Sequence, residues 1–356
     1  MTLLDEGNST AFPTPRQSAR EASLTYVSDE QPGIRRKRHS GRFSYLTPGG
    51  KTLRDAAAME RIRGLAIPPA WSDVWISPDP DGHLQATGRD QRGRKQYLYH
   101  PQWYACRDEM KFSSLVEFAE ALPLLRRRID ADLRRRKLSI ERVLASVIWL
   151  LDNTMIRVGN AAYARDNRSF GLTTLRDRHV EIRGSTLRFA FKGKAGKEWR
   201  LKLTDRRIAK VVRGAQDLPG QQLFQYLDDQ GERHGISSHD VNSYIQETTG
   251  AEFTSKHFRT WAGTVRAFVL LADEEPPASK AAARRILNRV VDTVAGHLGN
   301  TRSVCRKCYI HPGVIDHWER GVLDADIRSL RPGRLRANGQ LDGTELIVLR
   351  WLRKFG

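Results

Sequence analysis

Between Val180 and Leu203 the apolar residues recur at every second position, while on either side they recur at every third or fourth. Val180 and Ile182 precede Gly184; Leu187, Phe189 and Phe191 alternate, and so do Trp199, Leu201 and Leu203. Strand side chains alternate between two faces, whereas helix side chains return to one face every three to four residues. The change of period therefore predicts a few short strands set inside a helical region. Gly193-Lys194-Ala195-Gly196 separates the last two runs and reads as a hairpin turn. Helical spacing covers residues 115–138 and 140–153. It resumes at Ala209 and runs through 240–248, 257–273 and 280–297.

The first hundred residues have another texture. Residues 71–77 alternate, Asp79-Pro80-Asp81-Gly82 is a strong turn, and residues 84–87 return from it. Gln96-Tyr97-Leu98-Tyr99 reads as a further strand, and residues 51–63 as a helix. The fold class expected is α+β: a small N-terminal antiparallel β-sheet domain, then a larger, mainly α-helical domain holding a small three-stranded sheet. A length of 356 residues fits two domains, since one domain takes about 100–200 residues. Residues 1–30 are polar and are expected to be a disordered lead-in, with the sheet domain over 31–101 and the helical domain over 104–356. Residues 33–42 carry Arg35, Arg36, Lys37, Arg38 and Arg42, and read as an exposed tail or a phosphate-contacting arm.

Charge narrows the partners. Lys and Arg number 60 against 41 Asp and Glu, a net charge of +19. A surplus of this size points to a polyanion, with nucleic acid first. Three cysteines, Cys106, Cys305 and Cys308, do not make a disulfide framework, and the Cys305-x-x-Cys308 pair has no second pair to complete a zinc site. No apolar stretch approaches the roughly 20 residues of a membrane span, and no signal peptide is visible. Gly49-Gly50-Lys51-Thr52 ends like a nucleotide-binding loop, but Tyr45 stands where that motif needs glycine. Neither a metal nor a nucleotide cofactor is expected.

Five residues carry candidate chemistry, and each has a plain structural reading as well. Arg157 follows an apolar helix, where a cation suits the helix dipole. Arg259, in Lys256-His257-Phe258-Arg259-Thr260-Trp261, opens one, where cations are unusual unless an anion binds. Lys194 sits at the hairpin tip with Lys192 and Lys197 as competitors for a proton-donating role. Asn300, after Gly296-His297-Leu298-Gly299, is either a cap residue or an amide donor. Tyr309 lies in Val304-Cys305-Arg306-Lys307-Cys308-Tyr309, among cations that favour a phenolate.

Taken together, the order Arg157, Lys194, Lys256-x-x-Arg259-Thr260-Trp261, Leu298-Gly299-Asn300-Thr301 and Tyr309, nine residues after Asn300, resembles the bacterial and poxvirus-type DNA topoisomerase IB family. The stretch from Ala86 through Arg89, Arg92, Arg94, Lys95 and Tyr97 is similar to that family's DNA-contacting sheet domain. The resemblance runs from about Gly33 to the C-terminus. It implies that Tyr309 attacks a DNA phosphate to form a 3′-phosphotyrosyl bond. Arg157 and Arg259 would bind the non-bridging oxygens, Asn300 would donate to one of them, and Lys194 would protonate the leaving 5′-oxygen. Many relatives carry histidine where Asn300 stands. Lys256, Arg89, Arg92, Arg94, Lys95, Tyr97 and Tyr99 would contact DNA.

The implied protein is a two-lobed clamp on double-stranded DNA, monomeric, cytoplasmic and associated with the nucleoid. It would relax supercoils without ATP or metal. A tyrosine site-specific recombinase and a non-catalytic basic DNA-binding protein are the alternatives. Lys256, where recombinases often have histidine, and the N-terminal sheet weigh against the recombinase.

Overall fold

The computed structural model describes residues 16, 19–20, 22–39, 42–91, 93, 95–103, 112, 114–161, 164–165, 168–275, 279–330 and 341–356. The chain divides into two compact units, Met1–Ser113 and Ser114–Gly356.

The first unit is built on a five-stranded antiparallel sheet. Its elements in chain order are β1 (Ile34–His39), β2 (Arg42–Leu46), helix α1 (Ala56–Gly64), β3 (Ser72–Ile76), β4 (Leu84–Arg89) and β5 (Lys95–Tyr99). The spatial order is β2-β1-β3-β4-β5. One face follows from alternation: Val74 and Ile76 of β3, Ile34 of β1 and Ala86 of β4 pack with Ile62 of α1 and with Ile67. Asp55 starts α1 by accepting from the amide of Ala58. Trp75 points to the opposite face, where its indole donates to the Gln31 carbonyl at 2.9 Å. Thr87 donates to Asp29 on that side, Tyr26 stacks on His83, and Leu24 is buried. Tyr26 and Asp29 therefore lie along the sheet.

Residues 34–39 are not the exposed tail expected of them but a strand, paired with β2 and, at Ile34 and Arg35, with β3 as well. Arg36 explains why so basic a segment is held: its guanidinium donates to the carbonyls of Ile67, Pro68 and Trp71 and lies 4.2 Å over the Phe43 ring.

The second unit is mainly helical. It opens with α2 (Leu115–Leu133) and α3 (Ile140–Thr154), followed by the three-stranded sheet β6 (Val180–Arg183), β7 (Thr186–Lys192) and β8 (Glu198–Thr204). Leu187, Phe189 and Phe191 are buried on one face, and across β7 and β8 Phe191 stands opposite Trp199. Helix α4 (Arg206–Gln216) and a two-stranded hairpin, β9 (Gln225–Leu227) with β10 (Arg233–Gly235), come next. Then follow α5 (Ser238–Thr249), α6 (Ser255–Ala272), α7 (Lys280–Leu298), α8 (Arg302–Tyr309), α9 (Pro312–Glu319), α10 (Leu323–Ser329) and α11 (Gly343–Phe355).

Helix α3 is the hub. Val143, Ala145, Val147, Ile148, Leu150 and Leu151 are fully buried against α2, α4, α5 and α6. Each larger apolar side chain so buried contributes roughly 1.5–3 kcal/mol. An ionic knot fixes its C-terminal end. Arg126 of α2 bonds Asp152 of α3 at 2.8 Å and Glu345 of α11 at 2.7 Å, and Glu345 also accepts from the Trp261 indole of α6 at 2.8 Å. Among the described residues no helix is long and apolar enough to cross a membrane.

Candidate active site

The site is assembled from helix ends. Helix α3 stops at Met155, whose left-handed conformation (φ 57°, ψ 16°) turns the chain out and delivers Arg157 two residues later. Helix α7 stops at Gly299, also left-handed (φ 60°, ψ 43°), while Thr301 caps the start of α8 by accepting from the amide of Val304. Asn300 is therefore the one residue between a C-cap and an N-cap, and it is only 8 % exposed. Tyr309 closes α8 and is half-buried.

Arg259 lies in the second turn of α6, 3 % exposed. Its guanidinium donates to the carbonyl of Met155 and, at 2.6 Å, to that of Leu298. Its central carbon lies 5.2 Å from the centre of the Tyr309 ring. Arg157 donates to the Gly299 carbonyl at 3.1 Å and to the side-chain oxygen of Asn300. Both arginines thus hold the carbonyl end of α7, where the helix dipole is negative. Burial and the neighbouring Arg157 charge push Arg259 down to about 10, with Tyr309 pulling it the other way. Burial lowers Arg157 as well. Two cations are therefore concentrated in a poorly solvated place.

Gly263 makes this approach possible. It lies four residues after Arg259, on the same face of α6. A Cβ there would sit 2.3 Å from the Tyr309 carbonyl oxygen. Thr264 beside it accepts from the His311 amide at 3.1 Å. Cys305, on the preceding turn of α8, is fully buried, and burial pushes its thiol up to about 11.

The hairpin joins from the other side. Lys194 and Arg157 line one cavity of about 200 Å³, with Phe170, Gly193 and Trp199 among its walls. Lys197 donates to the Asn300 carbonyl at 3.1 Å. Lys192 stands opposite Glu198 in the strand register. Arg157, Arg259, Asn300 and Tyr309 are thus brought together, and Lys194 shares a cavity with Arg157. Lys256 is exposed on the first turn of α6.

Residues expected to contact DNA from the sheet unit share a face of β4 and β5. Arg89 stands opposite Lys95, and Thr87 opposite Tyr97. Tyr97 is 45 % exposed and stacks on Tyr99 with ring centres 6.0 Å apart. Lys95 pairs with Asp29 at 2.6 Å, and Arg89 approaches Asp73 at 3.6 Å while donating to the Gly93 carbonyl. Arg92 and Arg94 lie outside the described residues.

Two contributors were given no role at the site from sequence: Trp199 and Gly263. A glycine inside an apolar helix, four residues from a candidate arginine, was a usable signal for close packing at Gly263. Trp199 read only as one more inward strand residue.

Arg259 Nε and Asn300 Nδ2 are buried and have no hydrogen-bond partner among the described residues. Buried donors are normally satisfied, so a ligand bearing several anionic oxygens suits this place, as a phosphodiester does.

Comparison with known proteins gives the same class. Residues 100–325 match the family described as eukaryotic DNA topoisomerase I, catalytic core. Residues 42–90 match bacterial DNA topoisomerase IB, N-terminal domain. The DNA topoisomerase 1B of Acanthamoeba polyphaga mimivirus is 30 % identical over 285 residues, covering 78 % of this chain and 85 % of the relative. The DNA topoisomerase 1B of vaccinia virus (strain Copenhagen) is 21 % identical over 271 residues, covering 74 % and 82 %. The chain belongs to the type IB DNA topoisomerase family. It is an isomerase acting on DNA topology.

Proposed function

We propose that the protein relaxes supercoiled duplex DNA by cutting one strand through a 3′-phosphotyrosyl bond at Tyr309 and resealing it. The observation that supports this best is the meeting of Arg157, Arg259 and Asn300 at the α7–α8 junction beside Tyr309, with two buried donors left unsatisfied.

In this mechanism the Tyr309 oxygen attacks the phosphorus, its proton passing to water, and the bond to the 5′-oxygen breaks. The two guanidinium groups bind the non-bridging oxygens, whose charge grows in the transition state, and the Asn300 amide adds a donor. Such fixed cations do what a metal would otherwise do. The departing oxygen takes a proton from Lys194. Of the three hairpin lysines, Lys194 is the one placed here because it lines the cavity that Arg157 shares. Resealing reverses each step, so no ATP is needed. The protein acts as a monomer, with Lys256 and the Arg89, Lys95, Tyr97 and Tyr99 face contributing DNA contacts that weaken with salt.

The test is a supercoiled plasmid incubated with the protein in EDTA without ATP. Relaxation to a ladder of topoisomers supports the reading. Binding without relaxation refutes it, and strand exchange between two defined sites favours a recombinase instead.

A further inference from the structure

Lys194 and Asn300 come from elements far apart in the chain, and one side chain connects them. Trp199 stacks across the hairpin on Phe191, with ring centres 6.1 Å apart and planes 6° from parallel. Its indole lies against two glycines. A Cβ on Gly193 would stand 2.8 Å from the indole Nε1, and one on Gly299 would stand 2.6 Å from Cζ2. Side chains do not pack that closely, so the ring fills a slot that only two glycines leave open. Gly193 directly precedes Lys194, and Gly299 directly precedes Asn300. Trp199 and Lys194 also line the same cavity as Arg157.

We propose that Trp199 is a positioning residue for proton transfer to the leaving 5′-oxygen. Wedged between Gly193 and Gly299, it sets the distance from the hairpin lysine to the arginine–asparagine cluster. The inference rests on Lys194 as the proton donor. The amine of Lys197 on the Asn300 carbonyl is a second tie between the same two segments, but it is one hydrogen bond from a flexible side chain. The indole is rigid and is held on its other side by Phe191. General acids accelerate reactions by about 10²–10⁴-fold, and a misplacement of about 1 Å forfeits roughly 10²-fold. Trp199→Ala should therefore slow strand cleavage by about 10- to 100-fold and leave DNA affinity nearly unchanged. Trp199→Phe, which keeps a flat ring in the slot, should recover most of the rate.

The experiment is single-turnover cleavage of a duplex whose scissile phosphate carries either an ordinary 5′-oxygen or a bridging 5′-sulfur. A thiolate leaves without being protonated, so a defect in proton donation disappears on the sulfur substrate. Wild type, Trp199→Ala, Trp199→Phe and Lys194→Ala are compared. The expected result is that Trp199→Ala and Lys194→Ala are both slow on oxygen and both near wild type on sulfur, with Trp199→Phe close to wild type on each. Rescue of Lys194→Ala but not of Trp199→Ala overturns the proposal and makes the tryptophan a general structural residue. Wild-type cleavage of the oxygen duplex by Trp199→Ala at full rate overturns it too. Lys194→Ala that is not rescued, with wild type active, instead refutes the assignment of the acid. A wild type that cleaves neither duplex refutes the phosphotyrosyl reading itself.

Discussion

The guanidinium carbon of Arg259 lies 5.2 Å from the centre of the Tyr309 ring. That distance depends on a missing methyl group, because Gly263 lets the end of α8 press against α6. Gly263→Ala puts a carbon 2.3 Å from the Tyr309 carbonyl oxygen. It should displace Tyr309 and lower the cleavage rate by about 10²-fold, with a cost of about 1–3 kcal/mol in folding stability from overpacking. Cleavage kinetics and the urea midpoint, measured on the same preparation, check both parts.

Arg259 itself should tolerate no replacement. Loss of one fixed donor at a developing oxyanion costs about 10²–10³-fold in rate. Arg259→Ala is expected in that range or beyond, since the carbonyls of Met155 and Leu298 also lose their donor. Arg259→Lys should recover little, because an ammonium cannot span the two carbonyls and still present a fork to phosphate. Single-turnover cleavage rates decide the order of the three proteins.

Much of the architecture was legible because it rests on period. The β7–β8 hairpin and helices α2 to α7 follow from apolar spacing, and their register and caps confirm it. The strand at residues 34–39 was not legible, because its run of arginines and lysines hides a pairing in which Arg36 is bound by carbonyls from distant loops. Hairpin β9–β10 was missed for the opposite reason: three-residue strands carry too few alternations to stand out. At the site, residue types and order were readable, but contacts were not. Nothing local tells that the Asn300 side chain accepts from Arg157, or that Lys197 reaches the Asn300 carbonyl. Those depend on how α7 ends, which a glycine at position 299 decides.

His257 gives the fold a dependence on acid. Burial pushes its pKa down to about 4 from an ordinary 6.5, with the neighbouring Lys256 charge acting in the same direction and the Thr254 backbone against it. Its Nδ1 accepts from the Thr254 amide at 3.0 Å, and Nε2 lies 3.4 Å from Ser114 Oγ. The unfolded chain takes up this proton at higher pH than the folded one. The contribution is therefore fully present above pH 6.5 and is lost as pH falls toward about 4. The urea midpoint should fall across that window, and His257→Gln should flatten the fall.

The knot of Arg126, Asp152, Glu345 and Trp261 ties α2, α3, α6 and α11 together. Burial works against the Arg126 charge, but its bonds to Glu345 and Asp152 outweigh that and raise its pKa. Glu345→Ala takes one carboxylate from the guanidinium and removes the acceptor of the Trp261 indole. Breaking such a pair costs about 3–5 kcal/mol. Equilibrium urea denaturation should show that loss, and Glu345→Gln, which still accepts from Trp261, should lose less.

The central claim is that Tyr309 becomes covalently joined to DNA. The direct measurement uses a duplex labelled upstream of a nick-trapped cleavage site, incubated with the protein in EDTA, denatured and digested to peptides. Wild type should retain the label on a single peptide containing Tyr309, joined through a 3′-phosphate, and Tyr309→Phe should retain none. Label on any other residue, or a Tyr309→Phe protein that still captures DNA, would contradict the account.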